Sequence, residues 1–175
     1  KYCYLVGKNT KERMTWDVAK QAIDYILDHE SDMSEESVIW DFIGGEPFLE
    51  IDLIDKICDY FKVEMFRRNH HWFNSYRFSF STNGINYATD KVQHFIKKNH
   101  EHLSIGITID GTKRKHDLNR IWKTAEMEQG IMPKPEEEQG SYDDVVKNIP
   151  LWLEQFPGAG TKVTISSADI PYIKE

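Results

Sequence analysis

The sequence predicts an α/β fold in which parallel strands form a sheet with helices on its outside. Strand and helix signals alternate along the chain, as they do in repeated βα units. Polar residues and glycines follow each predicted strand, where βα loops usually build a functional site. The chain has 175 residues, of which 39% are apolar, so it has enough hydrophobic material for one domain or a piece of a larger one.

The first predicted helix begins after Thr15, a residue type that commonly caps helix N-termini. Apolar residues then recur at helical spacing at Val18, Ala19, Ala22, Ile23 and Ile26. The apolar run from Val38 to Ile43 predicts a buried strand.

Two more helices and two more strands are expected downstream. The apolar positions of the second helix are Ile51, Ile54, Ile57, Cys58 and Phe61, and those of the third are Val92, Phe95 and Ile96. Strands are predicted from Tyr76 to Ser81, where aromatic and polar residues alternate, and from Leu103 to Ile109.

The last third of the chain is interrupted by a polar segment, residues 123–140, that we interpret as an exposed loop. Ser141 is expected to cap a helix through Val145, Val146 and Ile149, which Pro150 should kink or end. A final strand is predicted from Thr161 to Ser166.

Composition argues against several classes of function. The 22 basic and 29 acidic residues give a net charge of −7, which argues against a nucleic-acid partner and an anionic membrane surface. No apolar run approaches the ~20 residues that span a bilayer, and no signal segment opens the chain. Two cysteines, Cys3 and Cys58, are too few for a disulfide framework. These features predict a cytoplasmic location.

The strand ends bring four polar clusters to one face: Cys3, residues 44–47, residues 81–84 and residues 108–111. In Gly44-Gly45-Glu46-Pro47, the glycines would let the backbone approach a ligand closely. The Glu46 carboxylate would accept hydrogen bonds from an ammonium group, and Pro47 would stiffen the exit. The alternative interpretation is a tight turn before a helix.

These clusters resemble the motifs of radical S-adenosylmethionine (SAM) enzymes. They are most similar to the branch of anaerobic sulfatase-maturating enzymes and radical peptide maturases, the SPASM type, and the resemblance covers nearly the whole chain. It implies an incomplete TIM-type βα barrel of parallel strands with outer helices. Residues 1–175 would then be part of a radical SAM core domain.

Enzymes of this family hold a four-iron, four-sulfur cluster with a Cys-x-x-x-Cys-x-aromatic-Cys loop. Lys1-Tyr2-Cys3 corresponds to its last three positions, which makes Cys3 the third cluster ligand and Tyr2 the aromatic residue. The chain is therefore expected to be a fragment that begins inside this loop and lacks the first strand, later strands and any auxiliary cluster domain. Because two ligands are missing, the chain as written should not hold the cluster well. Taken alone, Cys3 could be an ordinary cysteine, and Cys58 is expected in the core.

The resemblance also assigns the S-adenosylmethionine contacts. Residues 44–47 match the Gly-Gly-Glu-Pro motif that binds the methionine ammonium, and residues 81–84 match a Ser-Thr-Asn-Gly that lines the pocket. Thr108 replaces the serine of a Ser-x-Asp-Gly motif, and with Arg120, twelve positions later, it would hold the carboxylate. The implied cofactor-binding residues are Tyr2, Gly44, Gly45, Glu46, Pro47, Ser81, Asn83, Thr108, Asp110 and Arg120.

Simpler interpretations of the same residues exist. Residues 81–84 would also fit a turn that ends in glycine, and Arg120 would also fit a surface ion pair. We interpret His116 and Asp117 as structural, because a buried His-Asp pair usually orders a loop.

The implied activity is reductive cleavage of S-adenosylmethionine to a 5′-deoxyadenosyl radical, which removes hydrogen from a peptide or protein substrate. The cofactor carries this chemistry, so no side chain is assigned as catalytic. A reductant such as flavodoxin or ferredoxin is the implied partner. Two alternatives stay open: a radical enzyme acting on a small molecule, and a truncated, non-catalytic binding module.

Overall fold

The computed structural model describes residues 13–29, 35–121, 140–165 and 167. Three parallel strands, β1 (Val38–Phe42), β2 (Tyr76–Thr82) and β3 (Leu103–Ile107), form a sheet in the order β1-β2-β3. The α/β class and the parallel arrangement are therefore confirmed. The described strands make a three-stranded sheet, and closure into a barrel stays a prediction.

Helices connect the strands and follow the sheet. The α-helices are α1 (Trp16–Asp28), α2 (Ile51–Arg67), α3 (Asp90–Asn99), α4 (Lys113–Asn119), α5 (Tyr142–Val146) and α6 (Ile149–Gln155). Short 3-10 helices span Pro47–Glu50, His71–Asn74 and His100–His102. None of the described helices is both long enough and apolar enough to cross a bilayer.

The core lies between the helices and one face of the sheet. The predicted apolar face of α2 is confirmed, since Ile54, Cys58 and Phe61 are all buried. They pack with side chains from alternate strand positions, such as Phe78 and Ile105. Helix α1 then packs on α2, where the Trp16 and Tyr60 rings meet edge to face.

The prediction that the strand from Val38 to Ile43 is buried is wrong for its alternate positions. Ile39 is 64% exposed and Ile43 is 51% exposed, whereas Trp40 and Phe42 pack against the core. The reason is that, among the described residues, the core packs on the face of β1 that carries Trp40 and Phe42, so side chains on the other face stay exposed.

Two predictions for the last third of the chain also need correction. Pro150 lies in the first turn of α6, where a missing amide N–H is tolerated. The predicted helix is instead interrupted earlier, by a turn at Lys147 and Asn148. Between Thr161 and Ile165 the chain forms one bridge, Lys162 to Thr108, instead of a strand. Ser166 lies outside the described residues, and so do residues 123–139 of the predicted loop. Gly140, the last residue of that loop, pairs with Ile121.

Candidate cofactor-binding site

The predicted site residues fall at the carboxyl ends of the three strands. The turn from Gly44 to Pro47 follows β1, Asn83 follows β2, and Thr108 and Asp110 follow β3. Tyr2 and Cys3 lie outside the described residues. Parallel strand ends share one edge of a sheet, and this brings three of the four predicted clusters together.

The Glu46 carboxylate joins the exits of β1 and β2. Its Oε1 accepts hydrogen bonds from the Thr82 hydroxyl at 2.6 Å and from the Phe48 amide at 3.2 Å. Its Oε2 accepts one from the Asn83 amide at 2.8 Å. Glu46 thus caps the 3-10 helix that begins at Pro47 and also anchors the neighbouring turn.

Burial raises the pKa of Glu46, because an ionised carboxylate loses solvation there. The hydrogen bonds from Thr82, Asn83 and Phe48 oppose this effect, and so does the positive charge of Arg120.

The turn after β2 is set by Thr82 and Gly84. The Gly84 amide donates to the Thr82 hydroxyl at 3.1 Å, and Gly84 has a φ of +78°, which favours glycine. Asn83 accepts from the Ile85 amide at 2.9 Å through its side-chain oxygen. The interpretation of residues 81–84 as a turn that ends in glycine therefore holds only for Asn83 and Gly84, because Ser81 and Thr82 still belong to β2, the central strand of the described sheet.

Thr82 was not among the predicted site residues, although its hydroxyl binds Glu46 directly. Its buried position in the alternating pattern of β2 was the available signal. Ser81 is one position earlier, so its side chain leaves from the opposite face of the sheet.

Asp110 and Arg120 form an ion pair at the exit of β3. Asp110 is fully buried, and its Oδ2 accepts a hydrogen bond from Arg120 Nε at 2.8 Å. Oδ1 accepts from the Thr164 amide at 3.1 Å. The Arg120 side chain keeps 24% of its surface exposed, so the pair joins a buried carboxylate to a partly exposed cation.

His116 and Asp117 order the loop around Arg120, but not as the predicted buried pair: Asp117 is half-buried, and each side chain binds groups other than its partner. The Asp110 amide donates to His116 Nδ1 at 3.3 Å, and the Tyr142 amide donates to Asp117 at 2.9 Å. Gly140 passes so close to Asp117 that a Cβ at this position would lie 2.0 Å from its Cγ.

The charges at this edge could recognise a zwitterion. Among the described residues, Glu46 Oε2 accepts one hydrogen bond, so it retains acceptor capacity for a ligand ammonium group. Arg120, held by Asp110 at the exit of β3, supplies a cation, and a guanidinium suits a carboxylate. A Cβ on Gly44, whose φ is +49°, would meet no atom within 4 Å, so the turn leaves room for a ligand. These residues fit the amino and carboxylate groups of S-adenosylmethionine (AdoMet).

The described residues offer no ligand set for an iron–sulfur cluster. They include no group of three or more His, Cys, Asp or Glu side chains that could hold a metal. Cys58 is fully buried and burial raises the pKa of its thiol, which disfavours the thiolate that iron needs. Cys3 is the predicted ligand and lies outside the described residues.

A separate surface depression of about 250 Å³ lies between the first turns of α2 and α3. Its acidic residues are paired with lysines, Asp52 with Lys91 and Asp55 with Lys98. It shares no lining residue with the site around Glu46.

The fold is similar to part of anSMEcpe, an anaerobic sulfatase-maturating enzyme of the radical SAM type. Its native structure with bound AdoMet and the Kp18Cys peptide matches with a TM-score of 0.69 at 19% identity, over 99% of this chain and 41% of that chain. A polyhistidine-tagged form with bound AdoMet gives 0.67 at 21% identity, over the same shares of the two chains. At these identities the likeness shows the fold alone.

One curated sequence, an uncharacterised protein of Methanocaldococcus jannaschii, is 29% identical over 175 residues. The match covers 99% of this chain and 51% of that protein, so the chain spans about half the length of this relative. No protein-family model matches the sequence.

Proposed function

We propose that this chain is the AdoMet-binding part of a radical SAM enzyme that modifies a peptide or protein. When bound, AdoMet and a reduced four-iron, four-sulfur cluster would supply a 5′-deoxyadenosyl radical that removes hydrogen from the substrate. The observation that carries the proposal is that a hydrogen-bonded carboxylate, Glu46 after β1, and an ion-paired guanidinium, Arg120 after β3 and α4, come from the carboxyl ends of strands of one parallel sheet. The likeness in fold to AdoMet-bound anSMEcpe supports it.

The roles of the residues follow from their chemistry. Glu46 would bind the ammonium group of AdoMet through Oε2, while Thr82 and the Asn83 amide hold the carboxylate in place. Arg120 and Thr108 would hold the AdoMet carboxylate. None of these residues would transfer a proton; they would position the cofactor.

A peptide substrate is the finer part of the proposal. Its support is the family resemblance of the motifs and the fact that two of the anSMEcpe structures with this fold hold a peptide together with AdoMet. Cys3 as a cluster ligand and a flavodoxin or ferredoxin as electron donor belong to the same proposal.

Anaerobic reconstitution of the full-length protein with iron and sulfide tests the proposal. With a reductant and AdoMet, we expect methionine and 5′-deoxyadenosine to form. Glu46→Gln should weaken AdoMet binding about tenfold or more, since it replaces a charged acceptor, whereas Glu101→Gln, on an exposed 3-10 turn, should not. A loaded cluster without 5′-deoxyadenosine would reject the radical mechanism.

A further inference from the structure

The fully buried carboxylate of Asp110 stands out because burying a charge is unfavourable unless it is paired and hydrogen-bonded. Both of its oxygens have partners: Arg120 Nε on Oδ2 and the Thr164 amide on Oδ1. The two partners come from different segments, one after α4 and one near the bridge to Thr108. Asp110 therefore connects the Arg120 side chain to the end of the sheet.

The hydrogen bonds behind Asp110 run in a fixed direction. The Asp110 amide can only donate, so His116 Nδ1 is the acceptor and His116 is neutral with its proton on Nε2. Nε2 then donates to the Ser141 hydroxyl at 3.1 Å, and that hydroxyl donates to the Arg120 carbonyl at 3.0 Å. The ring closes on Arg120, whose backbone and guanidinium are thus both held.

We propose that Asp110 is a positioning residue that fixes the Arg120 guanidinium at the exit of β3, with His116 and Ser141 holding the two backbones in register. Arg120 has a long side chain with many rotamers, and ordering it would otherwise oppose binding. The Nε bond to a buried acceptor orders the side chain before any ligand arrives. The guanidinium is then preorganised for an anionic group of a ligand whose cationic group meets Glu46.

The role for AdoMet rests on the proposed function, but the positioning of Arg120 does not. A first experiment therefore uses the Nε–H signal of Arg120 in nitrogen-15 NMR spectra of the full-length protein, assigned by its loss in Arg120→Gln. In the wild type we expect slow exchange with solvent. Asp110→Asn presents one acceptor in place of two and cannot serve both donors, so exchange should become about tenfold faster or more. Unchanged exchange would overturn the proposal.

A second experiment measures AdoMet affinity by equilibrium dialysis in a double-mutant cycle. We expect Asp110→Asn and Arg120→Gln each to weaken binding about tenfold. The double variant should bind no worse than Arg120→Gln alone, because Asp110 acts through Arg120. Asp59→Asn, which removes a surface partner of Lys98, is the matched control and should bind as the wild type does.

The outcomes separate the two proposals. If the wild type binds no AdoMet, the proposed function fails and the Nε–H exchange decides the positioning role. If the wild type binds AdoMet and Asp110→Asn binds equally well, or if the two single effects multiply in the double variant, the positioning role is wrong while the function stands. A loss of thermal stability in Asp110→Asn without a change in either readout would mark Asp110 as merely structural.

Discussion

Single residues at this site combine a structural task with a charge. Glu46 caps a 3-10 helix and binds the turn after β2, so the interpretation of residues 44–47 as a tight turn before a helix is correct for the backbone. A capping Asn or Ser would fulfil that task without a buried charge. The carboxylate therefore adds something that the turn alone does not require, an anion at the edge of the sheet.

The raised pKa of Glu46 predicts a pH dependence of stability. Glu46 binds its proton more tightly in the folded protein than in the unfolded chain, so protonation of Glu46 stabilises the fold. This stabilisation is fully present below the ordinary pKa of 4.5 and is lost as the pH rises through the raised pKa. Over that window we expect the free energy of unfolding of the wild type to fall relative to that of Glu46→Gln. Urea denaturation at a series of pH values measures the difference. Parallel curves for the two proteins would contradict this.

His116 predicts a dependence of the opposite sign. Burial and the charge of Arg120 lower its pKa, while Asp110 and Asp117 act to raise it; Tyr142 contributes only a ring edge. The stability that neutral His116 contributes is fully present above its ordinary pKa of 6.5, and it is lost as the pH falls through the lowered pKa.

Below pH 6.5 the wild type should therefore lose thermal stability faster than His116→Asn, which keeps an acceptor for the Asp110 amide. Melting temperatures across that range provide the measurement. The exposed His94→Asn variant is the control and should follow the wild type. If His116→Asn loses thermal stability with falling pH just as the wild type does, then His116 does not titrate in this way.

At the level of elements, periodicity predicted what local sequence determines. The helical spacing of Ile54, Ile57 and Phe61 identified the buried face of α2 because the helix meets the core along one stripe. The predicted bounds of β2 and β3 were right to within two residues, because buried and more exposed side chains alternate along each strand. The prediction that Pro150 ends a helix was wrong because proline is also common in the first turn of a helix, where Pro150 lies.

The candidate site was predicted less completely, because its contacts are long-range. Motif resemblance identified Glu46, Asp110 and Arg120, but it could not tell that Asp110 holds Arg120, since residues ten positions apart meet only after α4 has turned the chain. Thr82 was missed for a similar reason: its partner lies 36 positions away on another strand exit.

The loop closed by Asp117 offers a test at this scale. A Cβ on Gly140 would lie 2.0 Å from Asp117 Cγ, so Gly140→Ala must displace the Asp117 side chain and break its bond to the Tyr142 amide. We expect a loss of about 1–3 kcal/mol in the free energy of unfolding, measured by urea denaturation. Gly158→Ala, whose Cβ would meet no atom within 4 Å, is the matched control. Equal stability of the two variants would show that the loop at residue 140 adjusts freely.

For the molecule as a whole, the sheet presents two different faces. One is packed under α2 and α3, whereas the other carries exposed Ile39 and Ile43 beside polar side chains such as Ser79 and Ser104. Val163 and Ile165, near the bridge to β3, are also about half exposed. In the described sheet β1 lies at an edge, and apolar side chains exposed beside a strand edge favour association between chains.

We therefore expect the chain of residues 1–175, expressed alone, to self-associate and to unfold without a sharp transition. Light scattering at increasing concentration and thermal unfolding measure the two properties. Replacing Ile39 and Ile43 by Thr should reduce association while leaving the packed face intact, because both side chains point away from the core. Val63→Thr removes an equally exposed apolar side chain from α2 and should change association little. A monomeric wild-type chain with a cooperative transition would show that the exposed sheet face is compatible with independent folding.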